Sequence, residues 1–171
     1  STDEEPTTDT IAIMTRVIEA RWDEMELPTK VGSPLSAGNV RLKSGLVQLE
    51  FHSGATIVIE GPAELKLNSA MEASLISGKL RAEVPPPAFG FCVRCPAADV
   101  VDLGTEFGVS VGPERNAEVH VFDGMVRLFE PGRADVGNAR YELTTGCGVR
   151  IDSLGELQDI PADPGVFQDP V

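Results

Sequence analysis

Aromatic side chains are scarce in this chain, with one Trp, one Tyr and seven Phe among 171 residues. That is little material for the stacked rings of a carbohydrate cleft. Histidine is scarcer still. His52 and His120 are the only two, both fall on the polar parity of the strands that carry them, and no GxSxG-type nucleophile pattern accompanies either. They are therefore expected to face solvent. The three cysteines are too few and odd in number for a disulfide framework. Cys92-Val93-Arg94-Cys95 has CxxC spacing, but a structural zinc site needs four ligands and a redox motif opens a helix after a strand. Neither context surrounds it, so Cys92, Cys95 and Cys147 are read as small side chains, with at most one local disulfide. No catalytic, cofactor-binding or metal-binding set emerges. No apolar run approaches the ~20 residues that cross a bilayer, and the opening STDEEPTTDT lacks the basic and apolar regions of a signal peptide.

The formal charge of −13 is concentrated at the ends. Residues 1–10 hold four acids and residues 152–171 hold five, with no base in either, leaving 18 acids against 14 bases between 11 and 151. Such a balance argues against phosphate-backbone binding, so nucleic acid is excluded as a partner. The composition divides the chain into an acidic linker (1–10), a β domain (11–151) and an acidic, proline-bearing tail (152–171) with little to bury, expected to be loosely held. The linker reads as the stub of a longer protein.

From Val40 to Leu128 apolar residues recur with period two between glycine-bearing turns. Val47, Leu49 and Phe51 alternate with Gln48, Glu50 and His52. The pattern returns at 63–67, 80–84, 89–95 and 101–109, each a half-buried strand. Val119–Phe122 and Met125–Leu128 flank Asp123-Gly124, which predicts a tight two-residue turn. Pro85-Pro86-Pro87 cannot lie in a central strand and marks a crossing between layers. Residues 11–26 are ambiguous. Met14, Val17, Ile18, Trp22 and Met25 suit a helical stripe, while Ile11 and Ile13 suit a strand. The fold class is all-β: many short, mostly antiparallel strands in a sandwich, a barrel or a short β-solenoid, with one N-terminal helix as an open alternative.

Asp99, Asp102 and Glu106 form the densest acid group near a regular pattern. On an extended strand Asp102 and Glu106 share a face about 13 Å apart, beyond the roughly 5–9.5 Å used in glycoside hydrolysis. Asp102, Gly104, Thr105, Glu106 and Phe107 are accordingly candidates for a structural or partner-facing role. Parity places Leu103, Thr105 and Phe107 inside and Asp102, Gly104 and Glu106 on the other face. Gly104 and Gly108 are costly within a strand and imply a bulge or a close crossing. An inward Thr105 hydroxyl needs a main-chain partner there.

The order of Gly61-Pro62-Ala63-Glu64-Leu65, Leu75–Leu80, Phe91–Pro96, Asp102-Leu103-Gly104-Thr105-Glu106-Phe107-Gly108-Val109 and Val119–Val126, following Ser44–Ala55, resembles the FecR domain. It is most similar to the FecR-like variant of planctomycete-type bacteria. The resemblance spans roughly residues 11–150. It implies the periplasmic part of a single-pass inner-membrane protein, acting by protein–protein contact without enzymatic activity or cofactor. An envelope or membrane protein would be its partner, and a cytoplasmic segment beyond this sequence would control an extracytoplasmic-function sigma factor. The 20-residue tail is shorter than the subdomain siderophore regulators carry there, so no siderophore receptor is implied. Members of the variant often precede a lectin-like domain, so the resemblance also implies an alternative, a glycan-associated accessory module.

Overall fold

Long strands whose alternation changes phase midway carry the architecture. In a computed structural model describing residues 10–134 and 137–167, β3 (Gly38–Phe51) and β4 (Thr56–Ser69) run 14 residues each and β5 (Glu72–Glu83) runs 12. In β3 the buried positions are Val40 and Leu42 before the midpoint, but Val47, Leu49 and Phe51 after it. In β5 the buried apolar positions are Ala73 and Leu75, then Leu80 and Ala82, with Arg81 buried on the other face. A one-residue slip moves every later side chain to the opposite face of a flat strand. Here the sheet bends at the slip, and the same concave side keeps receiving the apolar residues.

The bend is a crease shared by adjacent strands. The β3–β4 register shifts between Leu42 and Leu46, and β4–β5 shifts between Glu60 and Leu65. The edge strand β1 (Ala12–Trp22) shifts against β3 between Ile18 and Trp22. Main chains approach closely along this line. A β-carbon on Gly45 would collide with the carbonyls of Ile18 and Glu19, one on Gly61 would lie 2.6 Å from Ser44, and one on Gly78 would lie 2.5 Å from the Pro62 carbonyl. Gly45 and Gly78 also hold φ of +94° and +98°, where a side chain is strained.

The crease lets β5 carry two partners along one edge. Its residues 72–74 pair with β6 (Cys92–Arg94), the only parallel pairing among the described residues, and 78–83 pair with β8 (Glu106–Val111). From β6 one limb continues through β7 (Asp99–Asp102), β10 (Met125–Phe129) and β11 (Tyr141–Thr144). From β8 the other continues through β9 (Ala117–Asp123), β12 (Cys147–Ile151) and β13 (Leu157–Pro161). A two-residue β2 (Pro34–Leu35) pairs with the start of β1. Both limbs contribute to one continuous apolar core, from Leu65, Val93, Val100 and Leu128 on one side to Ile59, Phe107, Val119 and Val149 on the other. The all-β class holds, as one creased, open sheet in which every pairing but β5–β6 is antiparallel among the described residues.

Three expectations change. Residues 12–22 form strand β1, not a helix, and register shifts at Met14/Arg16 and after Ile18 explain why their apolar spacing drifts from period two. The tight two-residue turn expected at Asp123-Gly124 does not form: Asp123 is the last residue of β9, Gly124 alone separates it from β10, and the two strands do not pair; β9 lies between β8 and β12, and β10 lies between β7 and β11. The chain there crosses from one limb to the other. Finally, the stretch after Ile151 is docked as far as it is described. β13 pairs with β12 along five residue positions, the Ala162 amide donates to the Gly146 carbonyl, and Lys79 donates to the Val166 carbonyl. The Phe167 ring occupies the notch left by Gly108, 2.8 Å from where a β-carbon would stand. That docking buries His120, contrary to its parity, to 2% exposure. The Asp163 amide donates to His120 Nδ1 at 3.0 Å, leaving the ring proton on Nε2, 3.0 Å from Glu118 Oε1. Residues 1–9 of the linker and 168–171 of the tail lie outside the described residues.

If the crease requires bare backbone, Gly78→Ala and Gly45→Ala each destabilise by about 2–4 kcal/mol. Gly132→Ala, with φ of +78° but nothing within 4 Å, should lose only about 1 kcal/mol. Urea denaturation of the three variants checks the ranking.

Candidate functional site

Because the limbs are separate, the chain must cross between them, and four crossings occur at one end. They are 84–91 from β5 to β6, 103–105 from β7 to β8, Gly124 from β9 to β10, and 145–146 from β11 to β12. Connections held on a rigid scaffold are where binding groups concentrate. The five candidates Asp102, Gly104, Thr105, Glu106 and Phe107 lie in the second crossing and the strand that follows.

The backbone of this crossing is tied on both sides. The Asp102 amide donates to the Phe91 carbonyl at 2.9 Å, and its own carbonyl accepts from Gly90 at 3.0 Å. Leu103 donates to the Met125 carbonyl at 3.0 Å, and the Thr105 carbonyl accepts from Val84 at 2.9 Å. Thr105 is buried, and its hydroxyl donates to the Met125 carbonyl at 2.6 Å, a main-chain partner on a crossing strand. Gly124 passes so near the Gly104 carbonyl that no β-carbon fits between them. Gly104 itself, at φ +91°, lies under the Phe89 ring. Phe107 is fully buried. Glu106 accepts two hydrogen bonds from Arg81, at 2.6 and 2.9 Å, and the Arg81 guanidinium lies 4.3 Å from the Phe122 ring centre.

Asp102 departs from its parity. Strand β7 ends at this residue and β8 begins only at Glu106, so alternation does not run through 103–105, and Asp102 is fully buried while Leu103 is only half-buried. Its Oδ2 accepts from the Gly104 amide at 2.8 Å, and Oδ1 has no partner among the described residues. Burial pushes this carboxyl up to about 6, against the pull of the Gly104 amide.

The other titratable groups singled out in the sequence sit elsewhere. Asp99 is buried, accepting from Arg94 at 2.6 Å, and Arg94 reaches Glu72 at 2.8 Å, which ties β5, β6 and β7 together. Cys92 and Cys95 are buried and Cys147 is exposed, and the three form no disulfide among the described residues. Cys95 donates to the Ala98 carbonyl, and burial pushes its thiol up to about 11, which makes it unreactive. His52 is exposed. Among the described residues no three His, Cys, Asp or Glu side chains are placed to hold a metal ion.

The crossings also enclose a cleft of about 460 Å³. Gly104, Thr105 and Glu106 line it together with residues the sequence did not mark as site candidates, chiefly Glu83, Phe89 and Asp123. The proline triplet marked its position without marking its content.

Two outcomes follow. Phe107→Ala should destabilise by about 3–5 kcal/mol, as for other fully buried rings. The Asp102 carboxyl is raised above its unfolded value near 3.9, so the stability it contributes is full below about pH 4 and is lost as pH rises through 6. The stability of wild type minus that of Asp102→Asn should fall on the order of 2 kcal/mol between pH 4 and pH 7.5. A flat difference across denaturant melts in that range would contradict the burial argument.

Comparison with known proteins bears on the same segment. The family model described as FecR protein matches residues 39–127, which runs from β3 into β10 and contains the crease and the first three crossings. Two crystal structures of a candidate anti-sigma factor from Parabacteroides distasonis align with TM-scores of 0.61 and 0.62 at 18% identity. They cover 73% and 74% of this chain, which spans 60% and 61% of theirs. At that identity the likeness is one of fold. A search of curated proteins finds no match. With just over half its length matched by that model, this chain belongs to the FecR family.

Proposed function

We propose that the chain is a periplasmic sensor or scaffold domain of a FecR-like transmembrane regulator, acting on a sigma-factor pathway by protein–protein contact. The observation that carries the proposal is the family match over β3–β10. The fold likeness to the candidate anti-sigma factor points the same way. FecR proteins are regulators, and the site chemistry suits a non-catalytic role. Glu106 is held by Arg81, while Asp102 is buried without facing a second free carboxylate. Asp102 and Glu106 are therefore not arranged as an acid pair sharing a water or a sugar. No helix among the described residues is long and apolar enough to cross a membrane, so the anchor this reading requires would lie outside them. The glycan-associated alternative gains nothing from the one Trp or the one Tyr. Trp22 packs against the core, and the Tyr141 hydroxyl is hydrogen-bonded to Asp159.

The test uses the full-length gene in its own host, with a reporter on the promoter of the cognate sigma factor. Deleting residues 11–167 in frame should change reporter output at least fivefold and abolish its response to envelope signals. The domain should also be digested by protease in spheroplasts but not in intact cells. A reporter indifferent to the deletion, or a domain protected in spheroplasts, would sink the reading.

A further inference from the structure

The crossing end presents an arrangement that stability alone disfavours. Glu83 of β5 lies directly opposite Glu106 of β8, and Glu106 lies directly opposite Asp123 of β9. Three carboxylates thus stand side by side on adjacent strands, and like charges in direct cross-strand register repel. Arg81 compensates Glu106. Glu83 and Asp123 are exposed and form no ion pair with a described residue. Beside this row the floor of the 460 Å³ cleft is apolar, built by Val84, Pro85, Pro86 and Phe89. Phe89 is 53% exposed, an unusual position for a ring in a chain with so few, and it is held in place against Gly104.

We propose that this cleft is the docking site for a segment of a partner protein that presents an aromatic or aliphatic side chain flanked by lysine or arginine. The proposal rests on the protein-contact reading above and names where, and by what chemistry, that contact is made. Charge complementarity selects the occupant. The described residues of the rim offer carboxylate acceptors and include no lysine or arginine, so a cationic group is favoured. The carboxylates are not placed to share a metal ion, so the cation has to arrive on its own apolar stem, as Lys and Arg side chains do. The volume lies within the range of ligand pockets. The walls are already fixed by the Thr105–Met125, Val84–Thr105 and Gly104–Asp102 hydrogen bonds, so docking loses little entropy in ordering loops.

Two fluorescein-labelled decapeptide pools test this on the whole chain by anisotropy, one alternating Lys/Arg with Phe/Leu, the other alternating Asp/Glu with Phe/Leu. The basic pool should bind, at least tenfold more weakly in 500 mM than in 50 mM NaCl, and the acidic pool should not. Phe89→Ala and the double variant Glu83→Gln/Asp123→Asn should each weaken binding at least fivefold without loss of thermal stability, the double variant gaining some from the relieved repulsion. Glu114→Gln/Glu156→Gln, which removes the same charge at the opposite end, should leave it unchanged. The proposal is overturned if the basic pool does not bind, if the two pools bind alike, if Phe89→Ala is silent, or if the remote double variant weakens binding equally. Self-association lost in the cleft variants would put a second copy in place of the partner and overturn it too. In the reporter strain, a response to domain deletion but none to the cleft variants would remove the cleft and keep the regulatory reading. No response to deletion would remove that reading instead.

Discussion

Everything in this domain depends on the close approach of main chains along the crease. A strand buried on one face can keep its apolar side inward around a sharp bend only by gaining a residue, and β3 and β5 each change parity where they bend. For neighbouring strands to bend together the irregularities must line up, which brings Gly45 against Ile18 and Glu19, Gly61 against Ser44, and Gly78 against Pro62 and Ala63. Once β5 is bent, its edge points in two directions and nucleates two limbs. The crossings, and the cleft they enclose, exist because the limbs diverge.

The strands were legible because half-burial writes itself as alternation. At Val47–Phe51 the residues state which face is wet, whereas at Leu80–Val84 the polar-face Arg81 is buried beside Phe122. Connectivity was not legible, because an Asp-Gly turn requires the same backbone freedom whether its flanking strands pair or part. Gly124 looks like a hairpin residue and serves as a crossing, its missing β-carbon giving room to the Gly104 carbonyl. His120 was misplaced for a related reason. Parity names the two faces of a strand but not what covers the outer one, and Phe167, 47 positions later, covers it. Gly108 was the trace of that cover, a glycine where a side chain would have filled the notch.

The candidate site divides in the same way. The Asp102–Phe107 wording located the crossing, and the need of a buried Thr105 hydroxyl for a main-chain acceptor follows from elementary hydrogen-bond accounting. The inner or outer assignment of Asp102 failed because it treated six residues as one regular strand. Glu83 and Asp123 could not be joined to Glu106 without the β5–β8–β9 register, since they lie 23 residues before it and 17 after it.

The matched family segment does not account for the whole fold. Residues 39–127 leave out β1, whose Ala12 and Met14 are fully buried against β3, and β11 and β12, whose Leu143, Val149 and Ile151 belong to the same core. Without β12 the edge of β9 would stand open along residues 117–120, and without β11 so would that of β10; such unpaired edges invite association with other chains. The later strands close both limbs. The segment after β13 then lays Phe167 against His120 and Phe122, at ring separations of 5.1 and 5.8 Å, and covers the outer face of the limb that ends in the acidic row. The core-facing pattern and the crossings are thus set within the family segment, while the flanking strands decide which surfaces of this chain remain open to a partner.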